Sequence, residues 1–322
     1  MQNWRAPVWL PGGHAQTIWS ALWSRDGLAS PVNWRRERWD TPDGDFIDVD
    51  FLDGAADARR VVLFHGLEGS SHSHYARALA AEVRRQGLSL AVPHFRGCSG
   101  ELNRAPRAYH SGDFEEVGWI LQRLRPRAPH PLWVMGVSLG GNALLRWAQE
   151  AGEGGSATAV AVAAVSAPLD LSACGQAIDQ GLNRLIYARN FLRTMKPRAL
   201  AKWAQFPGLF DAQALRSATT LYAFDNVFTA PLHGFKNTED YWARASAKPL
   251  LHRLRVPTLV LNARNDPFVP ASCLPGPHEV SHWVTRWQPA HGGHCGFAQG
   301  WPPGHLQDLP RHVLAWMAQV SA

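Results

Sequence analysis

Short apolar runs alternate with longer stretches of helical periodicity along most of the chain, and this alternation limits the folds open to it. Runs such as 60–64, 89–93 and 132–136 have the length and apolar content of strands that are buried on both faces. Between them, stretches such as 75–86 and 114–124 repeat apolar residues at helical spacing. Strands that alternate with helices are typical of an α/β fold, so we predict a mostly parallel central sheet flanked by helices.

The alternation stops once and then resumes. From about 170 to 251, helical patterns follow one another without a clear strand, which predicts a helical cap inserted into the sheet domain. Predicted strands return at 257–263 and 280–287, before a last helix at 309–319. We therefore predict a single α/β domain over residues 1–322, with a helical cap insertion at 170–251.

The segment before the first parallel strand has a different character. Residues 32–40 and 45–51 predict a hairpin around a favourable Thr-Pro-Asp-Gly turn at 41–44. The segment is rich in tryptophan, a residue that favours the boundary between water and lipid, so a weak contact with a membrane surface is one alternative. We expect residues 1–31 to pack on the domain instead. Six tryptophans fall within the first 39 residues: Trp4, Trp9, Trp19, Trp23, Trp34 and Trp39.

Composition and charge argue against several classes of protein. Among the 322 residues, 46% are apolar and 18% are charged, which suits a large folded core and not a disordered chain. The formal net charge is +6, but the arginines are scattered, and their densest group at 35–38 is interrupted by Glu37. A nucleic-acid binder usually concentrates its charge on one face, so we expect no nucleic-acid partner.

The cysteines limit which cofactors we expect, and the apolar runs limit where in the cell we expect the protein to lie. Cys98, Cys174, Cys273 and Cys295 form no CxxC pair and no metal-ligand spacing, so we expect no metal and no disulfide-rich scaffold. The beginning of the chain lacks a basic region followed by a long apolar run, which predicts no signal peptide. The most apolar run, 158–169, is shorter than the about 20 residues that span a bilayer. We expect a soluble, cytoplasmic protein.

A G-x-S-x-G motif lies between a predicted strand and a predicted helix, at Gly136-Val137-Ser138-Leu139-Gly140. A nucleophile elbow requires this context, because a sharp strand-to-helix turn exposes the serine oxygen beside a helix N-terminus. We identify Ser138 as the candidate nucleophile, and the alternative is an ordinary turn. A serine at this position excludes hydrolases that attack with a carboxylate and favours acyl transfer, usually to water.

Two further residues suit the remaining roles of a catalytic triad. Asp266 and His294 follow predicted strands in the order that the fold requires after the serine. The carboxyl ends of parallel strands meet at the edge of the sheet where ligands bind. We predict His294 as the general base and Asp266 as the acid that orients it. The rivals are His291 for the base and Asp170 for the acid, while Asp211 and Asp225 are expected at the surface of the cap.

A tetrahedral intermediate also needs two backbone N–H donors that form an oxyanion hole. The residue after the nucleophile, Leu139, is one candidate. The other is Leu67, in the loop that follows the strand at 60–64, where Gly66 lets the backbone come close. His65, in the same loop, is predicted to order the loop and not to act as a base.

Six short motifs, spread over nearly the whole chain, carry a family resemblance. They are PGGHAQT at 11–17, FHGLEGS at 64–70, FRGCSG at 95–100, GVSLGGN at 136–142, APLHGF at 230–235 and HGGHCGF at 291–297. On these motifs the chain resembles the YheT-like branch of the α/β hydrolases, which also includes mammalian abhydrolase-domain proteins that act on esters and phospholipids. The resemblance implies the α/β-hydrolase fold, hydrolysis of carboxylic esters, and Ser138, Asp266 and His294 as the triad.

The motif at 11–17 has no evident chemical role. We expect a packed turn in which His14 is hydrogen-bonded, and contact with substrate is the alternative. Phenylalanines of the predicted cap could line an apolar acyl pocket or form the core of the cap: Phe191, Phe206, Phe210 and Phe235.

The function hypothesis that follows is a short-chain carboxylesterase-like enzyme. It acts on a small-molecule ester or a lipid-like substrate through an acyl-enzyme and requires no metal or organic cofactor. The alternatives are an acyltransferase or thioesterase with the same triad, and a binding protein that has kept the fold without catalysis. The sequence leaves the oligomeric state open.

Overall fold

The computed structural model describes residues 4–28 and 30–322, and across these residues the chain forms one sheet of eight strands. In chain order they are β1 (Arg35–Asp40), β2 (Phe46–Leu52), β3 (Arg60–Phe64), β4 (Ser89–Pro93), β5 (Leu132–Val137), β6 (Ala159–Val165), β7 (Thr258–Leu261) and β8 (Val284–Trp287). Their spatial order is β1-β2-β4-β3-β5-β6-β7-β8. The β1–β2 and β2–β4 pairs are antiparallel and the other pairs are parallel. The predicted mostly parallel sheet is confirmed.

Helices account for most of the remaining chain. In the part of the chain that the structure describes they are α1 (Gly12–Leu22), α2 (His74–Arg85), α3 (Phe114–Leu124), α4 (Leu139–Ala151), α5 (Gly155–Thr158), α6 (Leu171–Ile178), α7 (Gly181–Asn183), α8 (Arg189–Gln205), α9 (Ala212–Ser217), α10 (Leu221–Phe224), α11 (Ala230–Leu232), α12 (Thr238–Ala245) and α13 (Asp308–Val320). Two π-helical turns, Arg184–Ala188 and Asp225–Thr229, join α7 to α8 and α10 to α11.

The core consists of two apolar layers, one on each face of the sheet. Alternate residues of a strand point to opposite faces. In β3, Val62 and Phe64 pack with α3 and α4, while Val61 and Leu63 pack with α2 and α13. All four side chains are fully buried. Coverage on both faces explains why the central strands read as continuous apolar runs and not as alternating patterns.

The chain between β6 and β7 contains helices α6 to α12 and no strand in the structure. These helices have a small apolar cluster of their own, which includes Leu192, Leu215, Phe224 and Phe228. The cluster is separate from the two layers of the sheet, so this segment has its own apolar packing. Its residues also form one wall of the cavity described below.

The N-terminal segment combines a confirmed prediction with a missed helix. The predicted hairpin is confirmed as β1 and β2, but residues 12–22 form a helix where a packed turn was expected. Two glycines at its beginning lower its intrinsic helix propensity, so contacts with other parts of the fold must stabilise it. Residues 1–3 and 29 of the predicted 1–31 segment lie outside the described residues. Among the tryptophans, Trp4 and Trp39 are buried, Trp9, Trp19 and Trp34 are half-buried, and Trp23 is exposed.

Candidate active site

Ser138 occupies the turn between β5 and α4. Its backbone has φ 53° and ψ −122°, a conformation that costs energy for a residue with a side chain. Close packing holds this turn: a Cβ at Gly136 would lie 2.4 Å from the carbonyl oxygen of Gly140, and one at Gly140 would lie 2.4 Å from that of His65. The two glycines of the motif are therefore required by contact distance, and the turn has the form of a nucleophile elbow.

The structure brings Ser138, His294 and Asp266 together in one hydrogen-bonded series. The Nε2 atom of His294 lies 3.0 Å from the Ser138 Oγ, and its Nδ1 lies 2.8 Å from Oδ2 of Asp266. The other carboxylate oxygen of Asp266 accepts the N–H of Phe268 at 2.8 Å. A proton on Nδ1 satisfies this geometry and leaves Nε2 free to accept the serine proton.

Burial and charge act in opposite directions on the imidazole. The Asp266 carboxylate and the His294 ring are both buried, and the Phe268 ring packs 4.1 Å from the imidazole. Burial disfavours the charged ring, but the adjacent carboxylate outweighs it and holds the pKa of His294 above its usual value. The site thus stabilises the imidazolium that forms when the ring takes a proton.

The rival candidates lie apart from this series. His291 is exposed, and its Nδ1 lies 3.5 Å from the side-chain amide of Asn265. Asp170 accepts the N–H of Ala173 and caps α6. Asp211 is an exposed cap of α9. Asp170 and Asp211 each have a capping role that accounts for their position.

Asp225 differs from the surface residue that the sequence led us to expect. Its carboxylate accepts hydrogen bonds from the Thr229 hydroxyl at 2.7 Å and the Trp242 indole at 2.9 Å. Burial raises the pKa of Asp225 to about 6. The residue lies in a π-helical turn and lines the cavity, so the expectation of a surface position was wrong because the turn points the carboxyl inward.

Leu67 and Leu139, the candidate oxyanion donors, both line the cavity next to Ser138. Leu139 is the first residue of α4, so its N–H has no acceptor within the helix. A Cβ at Gly66 would lie 3.1 Å from the Ser138 Cβ, which shows how closely the loop of Leu67 approaches the serine. The arrangement suits two N–H donors that converge on one oxygen beside the serine.

Aromatic and imidazole side chains hold the loop that contains Leu67. His65 donates from Nδ1 to the Gly66 carbonyl at 2.8 Å and accepts the Phe95 N–H on Nε2 at 3.1 Å, which is the ordering role predicted for it. Burial lowers the pKa of His65 to about 3, so the ring stays neutral. Sequence reasoning missed Tyr109, whose hydroxyl accepts the Glu68 N–H and donates to the Glu68 carboxylate, both at 3.0 Å.

A largely apolar cavity opens beside Ser138 and is bounded by the helices between β6 and β7. Of the four phenylalanines proposed from the sequence, Phe191 lines the cavity, while Phe210 packs into the apolar cluster of the helices. An apolar wall of this kind suits an acyl chain. The side chains that form the wall include Leu171, Ile178, Phe191, Leu221, Phe224 and Phe228.

The motif at 11–17 lies against the loops that contain Asp266 and His294, which sequence reasoning did not foresee. Its His14 is exposed, stacks on the Tyr187 ring and lies 3.1 Å from the Tyr187 hydroxyl, so the expected hydrogen bond is present. Gln16 and Thr17 contact the loop of His294. The signal that could have identified them was the motif itself, which had no local explanation.

Among the described residues there is neither a metal-binding cluster nor a membrane-spanning helix. Across residues 4–28 and 30–322, no three or more histidine, cysteine, aspartate or glutamate side chains are grouped so that they could hold a metal ion. The four cysteines are free and buried. Over the same residues, no helix combines the length and the apolar character that crossing a membrane requires.

The parallel sheet, the serine elbow and the histidine and aspartate at the strand ends define the class of the α/β hydrolases. The sequence profile of the alpha/beta hydrolase fold matches residues 59–300. The chain is 39% identical over 293 residues to "Putative esterase YheT" of Escherichia coli (strain K12), which covers 89% of this chain and 84% of that protein. The chain therefore belongs to the α/β-hydrolase family, and its resemblance to the YheT-like branch is confirmed.

More distant similarities agree with this assignment. The chain is 29% identical over 310 residues to Phospholipase ABHD3 of Homo sapiens, across 92% of this chain and 74% of that protein. Among solved structures, the esterase Pf2001 of Pyrococcus furiosus matches with a TM-score of 0.56 at 14% identity, covering 93% of this chain and 98% of that one. At this level of identity the structural match supports the fold alone.

Proposed function

We propose that this hydrolase cleaves carboxylic esters, with Ser138 as nucleophile, His294 as general base and Asp266 as the orienting acid. The observation that carries the proposal is the unbroken series of hydrogen bonds from Ser138 through His294 to Asp266 beside an apolar cavity. A serine hydroxyl within hydrogen-bond reach of an imidazole that a carboxylate orients is the geometry of an activated nucleophile.

The geometry supports a two-step acyl transfer. Nε2 of His294 takes the Ser138 proton as Oγ attacks the acyl carbon, and Asp266 holds the imidazolium by its Nδ1–H. The N–H groups of Leu67 and Leu139 then stabilise the oxyanion. His294 returns the proton to the leaving alcohol, and water attacks the acyl-enzyme by the same route to release the acid. No step requires a metal or an organic cofactor.

The walls of the cavity support an apolar acyl group on a small ester or lipid-like substrate. Side chains of the helices between β6 and β7 form much of that wall, and we propose that residues 170–251 act as the cap over the site. The names of the two relatives, an esterase and a phospholipase, fit an ester substrate of this kind. We propose short-chain esters as the first substrates to be turned over.

Labelling with a fluorophosphonate probe, together with turnover of p-nitrophenyl esters of rising chain length, tests the proposal. Wild type is expected to label and to hydrolyse the short-chain esters, whereas Ser138→Ala does neither. Ser156→Ala is the matched control, because Ser156 is an exposed serine whose hydroxyl bonds to the Glu153 carbonyl outside the site.

Equal labelling of wild type and Ser138→Ala would disprove the assignment of the nucleophile. If the folded wild type turned over no ester, the binding-protein alternative would replace the esterase. Product analysis with added alcohols and with acyl thioesters separates the esterase from an acyltransferase or thioesterase, because the proposal expects water to be the main acceptor.

A further inference from the structure

The hydroxyl of Thr17, in α1, fixes the backbone of the catalytic histidine. It accepts the N–H of His294 at 2.8 Å and donates to the Gly13 carbonyl at 2.7 Å. Thr17 is 8% exposed, so water does not offer a ready substitute acceptor. A hydroxyl that both donates and accepts has a fixed orientation, and the position of the His294 N–H is thereby tied to the first turn of α1.

Gln16 joins the loop of the base to the loop of the acid. Its Oε1 accepts the N–H of Gly292 at 2.8 Å and the side-chain amide of Asn265 at 2.9 Å. Oδ1 of Asn265 in turn accepts the N–H of Gly293 at 3.1 Å. Gln16 is 1% exposed, and its own amide donates to the Leu10 carbonyl. This network bridges the residues that immediately precede Asp266 and His294 in sequence.

Close packing brings α1 against both loops. A Cβ at Gly13 would lie 1.8 Å from the Asn265 carbonyl oxygen, and a Cβ at Gly293 would lie 2.8 Å from the Thr17 nitrogen. Such distances admit no side chain at either position, so glycine is required on both sides of the contact. The motifs at 11–17 and 291–297 are thus two halves of one interface.

The loop that contains His294 needs this support. Cys295 and Phe297 both have φ 55°, a conformation that residues with side chains adopt at a cost in energy. A strained loop persists only where its surroundings over-determine it. Hydrogen bonds to Gln16, Thr17 and Asn265 hold the N-terminal side of this loop. The Ser166 hydroxyl accepts the Cys295 N–H at 3.1 Å further along it.

We propose that Thr17 and Gln16 are positioning residues of the active site, which hold the His294 loop and the Asp266 loop in the register that the triad requires. This inference rests on the proposed function, since it assigns the residues a role in that reaction. They touch no reacting atom and act through His294 and Asp266. A displacement of about 1 Å in a catalytic group can lower a rate by about 100-fold, so the loss of a single hydrogen bond here is measurable.

The test compares Thr17→Val, which removes the hydroxyl at nearly constant volume, with Thr17→Ser, which keeps it. For a p-nitrophenyl ester, Thr17→Val is expected to lower kcat by about 10- to 100-fold with KM changed by less than about threefold. Thr17→Ser is expected to restore kcat to within about threefold of wild type, because the acceptor for the His294 N–H returns. The rate of fluorophosphonate labelling should follow kcat.

Thr258→Val is the matched control. Thr258 is a fully buried threonine whose hydroxyl donates to the Val256 carbonyl at 2.7 Å. It begins β7, whereas Asp266 follows the end of that strand. We expect Thr258→Val to lower the unfolding temperature while kcat per folded molecule, counted by fluorophosphonate titration, stays at the wild-type value.

A second variant keeps the proposal testable if Thr17→Val does not fold. Asn265→Ala removes a half-buried side chain of the bridge and leaves Thr17 intact, and a fall in kcat at constant KM is again expected. Wild-type kcat in Thr17→Val, or in Asn265→Ala where Thr17→Val does not fold, would overturn the positioning role. Absence of any Ser138-dependent turnover in wild type would instead overturn the proposed function, so the two failures are distinguishable.

Discussion

Ser138 combines a strained backbone with a serine oxygen that the site leaves available to substrate. The strain is held by packing: β5 ends directly before the serine, α4 begins directly after it, and the neighbouring carbonyls leave no room for side chains at Gly136 and Gly140. A site of this kind stores backbone energy where the chemistry needs a fixed angle of attack. Its stability comes from the parallel sheet on which it is built.

Replacing Asp266 with asparagine tests the electrostatic role of the carboxylate. General-base catalysis needs a neutral His294, so activity is expected to rise with pH as the ring loses its proton. The carboxylate stabilises the protonated ring and raises the pKa of His294, so its removal lowers that pKa. We expect the acid limb of the kcat/KM profile to move to lower pH in Asp266→Asn, while kcat falls by about 10⁴-fold.

The control for this prediction is Asp211→Asn, which alters an exposed helix cap far along the chain from the triad. It is expected to leave both the pH profile and kcat unchanged. An acid limb at the same pH in wild type and in Asp266→Asn would show that another group governs the limb and would contradict the electrostatic role of Asp266.

The sequence identified the site residues that belong to a recurring local pattern, and it missed those whose role depends on contacts with distant residues. Ser138, Asp266 and His294 were identifiable because each follows a recognisable strand, and chain order then assigns their roles. Thr17 and Tyr109 act on residues that are 277 and 41 positions away. No periodicity or spacing predicts a hydrogen bond across such distances.

At the scale of elements, the strands and helices of the sheet domain were predictable and α1 was not. The bounds of β3 and β4 agree with the predicted runs at 60–64 and 89–93, because apolar strands between turn residues give a clear signal. Helix α1 begins with two glycines, so its helical signal is weak. Its stability comes from contacts with distant residues, among them the loops of Asp266 and His294, and sequence periodicity does not reveal such contacts.

Arg96 links the β1–β2 hairpin to α3, and its removal is expected to destabilise the fold. Its buried guanidinium contacts Asp45 and Asp43 of the hairpin turn at 2.8 Å and also binds Glu116 of α3. In Arg96→Leu, the buried carboxylates of Asp45 and Glu116 would lose their shared counter-charge. Breaking a buried ion pair by removing one partner costs about 3–5 kcal/mol, so we expect a loss of that size in the free energy of unfolding.

Urea unfolding measures this loss. The control is Arg104→Leu, because Arg104 is exposed and lies 3.9 Å from the exposed carboxylate of Asp40. Exposed pairs of this kind contribute about 0–1 kcal/mol. If Arg96→Leu cost no more than Arg104→Leu, the link through Arg96 would not be a source of stability.

At the scale of the whole molecule, tryptophans of the N-terminal segment and the loop at Gly300 and Trp301 form a partly exposed aromatic surface. Trp9 packs on Trp19, which packs on Trp23, and the Trp9 indole donates to the Gly300 carbonyl beside Trp301. Trp301 is 90% exposed and Trp23 is 54% exposed. Connected apolar side chains at the surface differ from the isolated ones that any protein carries, and they indicate a contact face.

This aromatic surface predicts weak binding to anionic lipid vesicles. Tryptophan prefers the boundary of the bilayer, and the net charge of +6 attracts an anionic surface. The double variant with Trp23→Ala and Trp301→Ala is expected to lose most of the binding in a vesicle sedimentation assay, and added salt should weaken wild-type binding because it screens the charge. Trp283→Ala, at a partly exposed tryptophan in the turn before β8, should bind as wild type does. If the double variant sedimented with vesicles as wild type does, the exposed tryptophans would not be a lipid-binding surface.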